Sequence, residues 1–228
     1  MESPTAKVDD YLQAIYSLEG EGETVISARL ARRMRVTPPT SWATVRRMER
    51  DGLVSLDEKK VIHLTKRGHE LAEDITRRHR LAERFLVDVM GLGWAEAHVE
   101  AHHFEHAITP RLDAKIFELA GNPQTCPHGS PIPGTGARLA VDLVPLSALK
   151  AGESATVQFI SEELEEDMEV LQYLERGKMT PGSPLKVLES APSTGIIVVE
   201  RDGARLPLGV AVAGKIRVRR TARARASD

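Results

Sequence analysis

The chain has 228 residues and a formal net charge of −2, and 41% of its residues are hydrophobic and 28% are charged. This balance is typical of a folded protein of two or three domains and excludes a disordered or fibrous chain. The single cysteine, Cys126, excludes a disulfide framework, and the sequence has neither a signal-peptide core nor an apolar run of about 18 residues, so we expect a cytoplasmic protein without membrane contact.

The N-terminal part predicts a winged helix-turn-helix. Apolar residues at helical spacing predict helices over about 5–20, 27–34 and 38–52. Two short apolar runs, 53–56 and 61–64, flank a charged turn and predict a hairpin. Helix, three-residue turn, helix and hairpin in this order are typical of a module that binds double-stranded DNA.

The third predicted helix has a face suited to the major groove. Residues 24–60 hold nine lysines and arginines against four acids, which predicts an anionic partner for this part of the chain. Arginines would contact phosphates and small side chains would contact base edges, while Val45 and Met48 would pack into the core. The residues predicted to contact DNA are Thr37, Pro39, Thr40, Ala43, Arg47 and Arg50.

Five of the eight histidines lie between residues 79 and 106 and predict a metal site. Residues four apart lie on one face of a helix, and buried imidazoles and carboxylates without a cation would leave polar groups unpaired. Mixed nitrogen and oxygen ligands suit Mn(II), Fe(II), Co(II) or Zn(II) rather than Ca(II) or Cu(I). The residues at this spacing are His98, His102 and His106, with Glu105 close by, and the pair His79 and Glu83.

Other histidines are predicted to have no ligand role. His103 is rotated by about 100° from its helical neighbour. Cys126 and His128 could form a soft ligand pair, but they fall in a segment rich in proline and glycine, so His128 is interpreted as a bystander like His63 and His69.

The second half of the chain changes from helical to β-rich sequence. Helical patterns extend to about residue 90 and over 94–120, and residues 123–136, with four prolines and three glycines, predict a linker. The later strands are interrupted by one helix at about 162–176, and this pattern predicts an SH3-like β-barrel. The strands are predicted near 139–143, 155–160, 184–188, 195–200 and 215–218.

Several segments are shared with one known family. They are Tyr11-Leu-Gln-Ala-Ile-Tyr16, Pro39-Thr40, Arg47-Met-Glu-Arg-Asp-Gly-Leu-Val54, His79-Arg-Leu-Ala-Glu-Arg84, Glu105-His106 and Ile132-Pro-Gly134. On these segments the sequence resembles the iron- and manganese-dependent repressors of the diphtheria toxin repressor family, closely over about 8–134 and more weakly over 138–218. The resemblance implies a homodimeric, metal-activated repressor of metal-uptake genes that binds a pseudo-palindromic operator.

The resemblance also implies a fold that is mostly α with a β-rich C-terminal part. The expected divisions are a winged helix-turn-helix over 1–65, a helical dimerisation and metal-binding domain over 66–122, the linker over 123–137, the SH3-like barrel over 138–218 and a basic, disordered tail over 219–228.

Two metal sites follow from the resemblance. The primary site would comprise Asp10, His102, Glu105 and His106. The ancillary site would comprise His79, Glu83 and His98, with Asp167 and Glu169 from the third domain. Iron-type members of the family carry sulfur where this chain has Asp10 and His102, so the hard oxygen of Asp10 favours Mn(II), with Fe(II) as the alternative. Zn(II), Co(II), Ni(II) or Cd(II) are expected to substitute in vitro.

Two other interpretations compete with a metal-activated repressor. Residues 102–106 fit the H-x-x-E-H pattern of inverted zinc proteases, but the motif follows a DNA-binding module and the chain leaves little room for a substrate domain. A metal-independent winged-helix regulator is the second alternative, because imidazoles that titrate near neutrality could sense pH instead.

Overall fold

The computed structural model describes residues 6–221. The helices are α1 (Ala6–Gly20), α2 (Ser27–Arg33), α3 (Pro38–Arg50), α4 (Lys66–Asp88), α5 (Trp94–Phe104), α6 (Pro110–Leu119), α7 (Glu162–Glu165), α8 (Met168–Arg176) and α9 (Val210–Ala213). The strands are β1 (Val54–Leu56), β2 (Ile62–Leu64), β3 (Val144–Pro145), β4 (Ser154–Ile160), β5 (Pro184–Ala191), β6 (Ile196–Arg201), β7 (Ala204–Gly209) and β8 (Ile216–Arg220). Over these residues, no helix combines the length and the apolar character needed to cross a membrane.

The N-terminal part forms the predicted winged helix-turn-helix. α3 begins at Pro38, whose missing N–H costs no hydrogen bond at a helix start, and Thr37 caps α3 by accepting a hydrogen bond from the Thr40 amide. β1 and β2 pair antiparallel as the wing. Val45 and Met48 are fully buried in the core that α3 shares with α1, as the sequence predicted.

The helical layer that follows, formed by α4, α5 and α6, differs from the sequence prediction at one point. The single helix expected over 94–120 is divided, because α5 ends at Phe104, residues 105–107 form a 3₁₀ turn and α6 begins at Pro110. Proline disfavours the helical conformation at the residue before it, and Thr109 instead caps α6 through its hydroxyl. The break places residues 105 and 106 on a turn that faces α1.

The C-terminal part is the predicted SH3-like domain, built on an antiparallel sheet. The six strands described here have the order β3-β8-β4-β5-β6-β7. β3 and β7 lie at the two edges and do not pair among residues 6–221, so the sheet is not a closed barrel. The predicted strand over 139–143 is absent from the structure. β7 is a strand that the sequence did not predict. It contains Pro207, which cannot donate a hydrogen bond to a sheet and is tolerated here because β7 lies at the edge.

The acidic segment of this domain and the chain end also differ from expectation. The helix predicted over 162–176 is two helices, because Asp167 accepts a hydrogen bond from the Val170 amide and so begins α8. Arg219 and Arg220, expected to start a disordered tail, lie in β8. The rest of that predicted tail, from residue 222, lies outside the described residues.

Three apolar cores accompany these parts of the chain. One lies within the winged helix-turn-helix, the second among α4, α5 and α6, and the third beneath the sheet. The third core includes Trp94 and Ala95 at the start of α5. The C-terminal domain is therefore packed directly against the helical layer.

Candidate metal centre and DNA interface

The first cluster of metal-ligand side chains joins α1 to the turn after α5. Asp10, His102 and Glu105 each offer one ligand atom, and these atoms lie within 4.8 Å of one another. His106 lies beside them, with its Nε2 atom 3.5 Å from Glu105 Oε1. The structure thus brings together the four residues expected at the primary site, although Asp10 belongs to the winged helix-turn-helix and the others to the helical layer.

Burial sets the charges of the first cluster. Glu105 is completely buried, and one of its oxygens accepts a hydrogen bond of 3.4 Å from Gln13. Burial raises the pKa of Asp10, and the nearby Glu105 carboxylate raises it further. Burial and the neighbouring His79 and His98 lower the pKa of His102 to about 4. His102 is therefore neutral near pH 7, which is the form that binds a metal.

A second cluster joins the helical layer to the C-terminal domain. Glu83, His98 and Glu165 offer ligand atoms within 4.8 Å of one another, and His98 Nδ1 is 2.8 Å from Glu83 Oε1. Glu165 belongs to α7 and is buried. Asp167 and Glu169, expected to supply the carboxylates of the third domain, are exposed, and the structure does not bring them to this cluster.

The linker contributes two further side chains to the second cluster. Cys126 and His128 lie with Glu83 in a group whose ligand atoms are within 4.8 Å of one another. His128 Nδ1 is also 3.3 Å from Glu165 Oε1, and only 1% of His128 is exposed. The interpretation of His128 as a bystander in a flexible segment therefore does not match its position in the structure.

The linker is ordered against β4 at this point. The backbone oxygen of His128 accepts a hydrogen bond of 2.9 Å from the Ile160 amide. Gly129 has φ +96°, and a Cβ there would lie 2.2 Å from the backbone oxygen of Gln158, so only glycine allows this approach. The sequence signal for this site was the Cys-Pro-His-Gly run itself, which composition alone assigned to a loop.

His79 connects the two clusters. Its Nδ1 atom is 2.6 Å from Glu105 Oε2, and its Nε2 atom is 3.3 Å from Glu83 Oε1. Burial by itself would lower the pKa of His79, but the two carboxylates hold it well above the usual value. The resemblance assigned His79 to the ancillary site alone, whereas the structure places it between the clusters.

The buried polar atoms of both clusters are suited to divalent cations. Within the described residues, several buried polar atoms of the clusters have no hydrogen-bond partner. They are one carboxylate oxygen each of Glu83, Glu105 and Glu165, the Nε2 atom of His98 and both ring nitrogens of His128. Burying such atoms without a partner is costly. Carboxylate and imidazole ligands suit Mn(II), Fe(II) or Zn(II), so the donor sets fit the metals expected from the sequence.

The residues of α3 that were predicted to contact DNA lie on its exposed side. All six residues predicted to contact DNA are exposed. Arg47 and Arg50 form no ion pair with any residue from 6 to 221, whereas Arg46 is paired with Glu49. The α3 surface therefore presents two guanidinium groups that are available to phosphates.

One aromatic side chain of this surface was not singled out from the sequence. Trp42 belongs to α3, and its ring centroid is 5.8 Å from the Arg46 guanidinium and 5.7 Å from the Lys60 ammonium of the wing. Cations at this distance from an indole ring are attracted to its face. Two positive charges therefore lie close to the Trp42 ring where α3 meets the wing.

Models of known families match three consecutive parts of the chain. The iron-dependent repressor N-terminal DNA-binding domain matches residues 4–62, the iron-dependent repressor metal-binding and dimerisation domain matches 65–134, and the FeoA domain matches 144–220.

Whole-chain relatives agree with these matches. The iron-dependent repressor IdeR of Mycobacterium tuberculosis is 38% identical over 199 residues, which are 83% of this chain and 86% of the relative. The diphtheria toxin repressor of Corynebacterium glutamicum is 34% identical over 217 residues, 91% of this chain and 93% of that protein.

Solved structures give the same result. A manganese-dependent transcriptional repressor in complex with manganese has a TM-score of 0.81 at 35% identity, over 94% of this chain and 100% of that chain. The manganese regulator SloR has a TM-score of 0.76 at 28% identity, over 96% of this chain and 100% of that chain.

Proposed function

The chain belongs to the iron-dependent repressor family, which includes the diphtheria toxin repressor, and from this we propose that it represses transcription when a divalent metal occupies its two clusters. The family's members are metal-dependent transcriptional repressors with DNA-binding and dimerisation domains and are not enzymes. The H-x-x-E-H match at 102–106 therefore does not mark a hydrolase.

The proposed metal sites follow the two clusters. The primary site comprises Asp10, His102, Glu105 and His106. The ancillary site comprises Glu83, His98, Cys126, His128 and Glu165, with His79 shared between the sites. We assign Glu165 to the place expected for Asp167 and Glu169, because Glu165 is the carboxylate of α7 and α8 that lies within ligand distance of Glu83 and His98.

The position of Asp10 is the observation that carries this proposal. It lies on α1, while Glu105 and His102 belong to the helical layer. A bound cation would neutralise these carboxylates and link the two domains. Without a cation, burial raises the pKa of Asp10, and the like charge of Glu105 raises it further and disfavours the approach of the two carboxylates. Metal would thus hold α1, and with it α3, at a defined angle to the helical domain.

The resulting repressor would be a cytoplasmic homodimer. We propose the divisions 1–65, 66–122, 123–137 and 138–218, with the second containing the dimer interface. Exposed apolar residues of this domain, such as Met90 and Val99, at 58% and 42% exposure, would lie in that interface. A symmetric dimer places two α3 helices on a pseudo-palindromic operator, and the genes controlled would be those of metal uptake.

Mn(II) is the proposed physiological metal, with Fe(II) as the alternative. The hard oxygens of Asp10 and Glu105 favour Mn(II) at the primary site. Because affinity for such ligands generally follows the Irving–Williams order, tight binding of Zn(II) in vitro would not identify the metal used in the cell.

Titration of operator binding against Mn(II) and Fe(II) under anaerobic conditions, with metal stoichiometry measured in parallel, tests the function. We expect DNA binding to require metal and two metal ions to bind per subunit. Tight, sequence-specific DNA binding in the presence of a chelator, unchanged by added Mn(II), would instead indicate the metal-independent regulator.

A further inference from the structure

One partly buried carboxylate of the C-terminal domain contacts both of the other domains. Glu162 is the first residue of α7, and its side chain is 12% exposed. Its Oε1 atom accepts hydrogen bonds of 2.9 and 2.6 Å from Arg80 of α4. Its Oε2 atom accepts one of 3.2 Å from Arg33 of α2 and another from Ser17 of α1. Glu162 therefore links α1 and α2 of the DNA-binding domain to α4 of the helical domain.

A second carboxylate extends this junction. Glu21, directly after α1, accepts a hydrogen bond of 2.7 Å from the Ser161 hydroxyl and one of 3.3 Å from the Glu162 amide. Arg33 and Arg80 are both paired with Glu162, while Glu21 joins the end of α1 to the start of α7. Buried charges are tolerated when they are paired and hydrogen-bonded, and removing one partner is strongly destabilising.

The contacts of Glu162 and the primary metal cluster both involve α1, at different positions along its axis. Asp10 and Ser17 are seven residues apart on α1, so they lie on nearly the same face and about 10 Å apart along its axis. α1 also contacts the helical domain through Gln13, which donates to Glu105, and through Tyr16, whose hydroxyl lies 3.4 Å from Glu73 Oε1. The contact at Ser17 ties the last turns of α1 to the C-terminal domain as well, so this domain contributes to the orientation of the DNA-binding domain.

We propose that Glu162 is a positioning residue for operator binding, which holds α1 at the angle that the metal-loaded dimer needs to place both α3 helices on DNA. The inference rests on the proposed metal-activated repression. It goes beyond that function because it gives the C-terminal domain a second role, in which Glu162 orients the DNA-binding domain without binding metal.

Glu162→Gln tests the role in the full-length chain at saturating Mn(II). We expect operator affinity to fall at least about tenfold, because the two arginines lose their countercharge, while the metal bound per subunit stays unchanged. Glu163→Gln is the matched control: this neighbour on α7 is paired with Lys215 of its own domain, so operator affinity should stay within about twofold of the original chain. Ser17→Ala, a milder change, should weaken binding less.

The double variant separates positioning from general destabilisation. If Glu162 acts through Ser17, combining Ser17→Ala with Glu162→Gln should weaken binding by less than the product of the two single effects. A spin label at the exposed wing residue 58 should also report a broader distance between the two wings of the Glu162→Gln dimer.

Two results would overturn the proposal. One is unchanged or tighter operator binding by Glu162→Gln, whether or not its melting temperature falls, and the other is a loss of metal stoichiometry that explains its weaker binding. Failure of the unaltered protein to respond to metal would instead contradict the proposed function, so the two failures are distinguishable.

Discussion

At the scale of single residues, the proposed switch depends on Asp10. Its ligand atom lies within 4.8 Å of those of His102 and Glu105, and it is the member of this group that belongs to the DNA-binding domain. A shift from mostly inactive to mostly active dimer needs a difference in metal affinity of about 10⁴ between the two states. Much of that difference would be lost with the one ligand that joins the domains.

Asp10→Ala should therefore fold and dimerise but lose metal-dependent operator binding, by at least about 100-fold. Gel-shift titration with Mn(II) measures this loss. His103→Ala is the control, because His103 is exposed on the same helix as His102 and should leave the response unchanged. Normal repression by Asp10→Ala at low micromolar Mn(II) would contradict the bridging role.

His128 gives a second prediction at this scale. Burial would lower its pKa, but Glu165 and Glu83 raise it to about 9, so the residue carries a proton near pH 7 that a metal must displace. His128→Ala should weaken binding at the ancillary site at least about 10-fold and leave the primary site intact. Isothermal titration should then show one strong site per subunit. The exposed His69 provides the control, and two strong sites in His128→Ala would rule out the assignment.

At the scale of elements, α3 carries the DNA contacts. Arg47 and Arg50 are exposed and make no ion pair within residues 6–221, while Arg46 is paired with Glu49. Replacing Arg50 with Ala should weaken binding to specific and non-specific DNA alike and reduce the salt slope by about one. Arg46→Ala, measured over the same salt series, should change the slope less. Loss of sequence preference alone in Arg50→Ala would show that this residue reads bases.

At the scale of the whole molecule, the Glu162 junction predicts a pH-dependent stability. Burial alone would raise the pKa of Glu162, but Arg80 and Arg33 hold it at about 2, below the ordinary 4.5. A carboxylate with a lowered pKa in the folded state contributes stability that is complete above the unfolded value and is lost as pH falls through the folded value. The contribution should therefore be present above pH 4.5 and disappear toward pH 2.

Urea unfolding of the original chain and of Glu162→Gln measures this contribution. The difference in unfolding free energy between them should shrink by roughly 2–3 kcal/mol as pH falls from 4.5 to 2. Comparison with Glu163→Gln removes the effect of the other acidic groups that titrate in this range. A difference that does not vary with pH would show that the Glu162 charge does not stabilise the fold.

The sequence by itself determined the elements whose cause is local. The spacing of apolar residues and the signals at helix ends predicted α1 to α3 and the wing. The exposed positions on α3 could be inferred because Val45 and Met48 identify its buried side. Four-residue spacing located the histidine face of α5. The tie between Asp10 and residues 102–106 came only from the family resemblance, because nothing in helical period connects side chains so far apart in the chain.

The tertiary structure decided which distant segments meet. Glu165 rather than Asp167 reaches the ancillary cluster because α7 ends before residue 167, whose side chain caps the next helix. His128 becomes a member of that cluster because hydrogen bonds to β4 fold the linker inward. The Glu162 junction likewise depends on three domains packing together. Such contacts arise from the free energy of burying and pairing groups between segments, which leaves no periodic signal in any one of them.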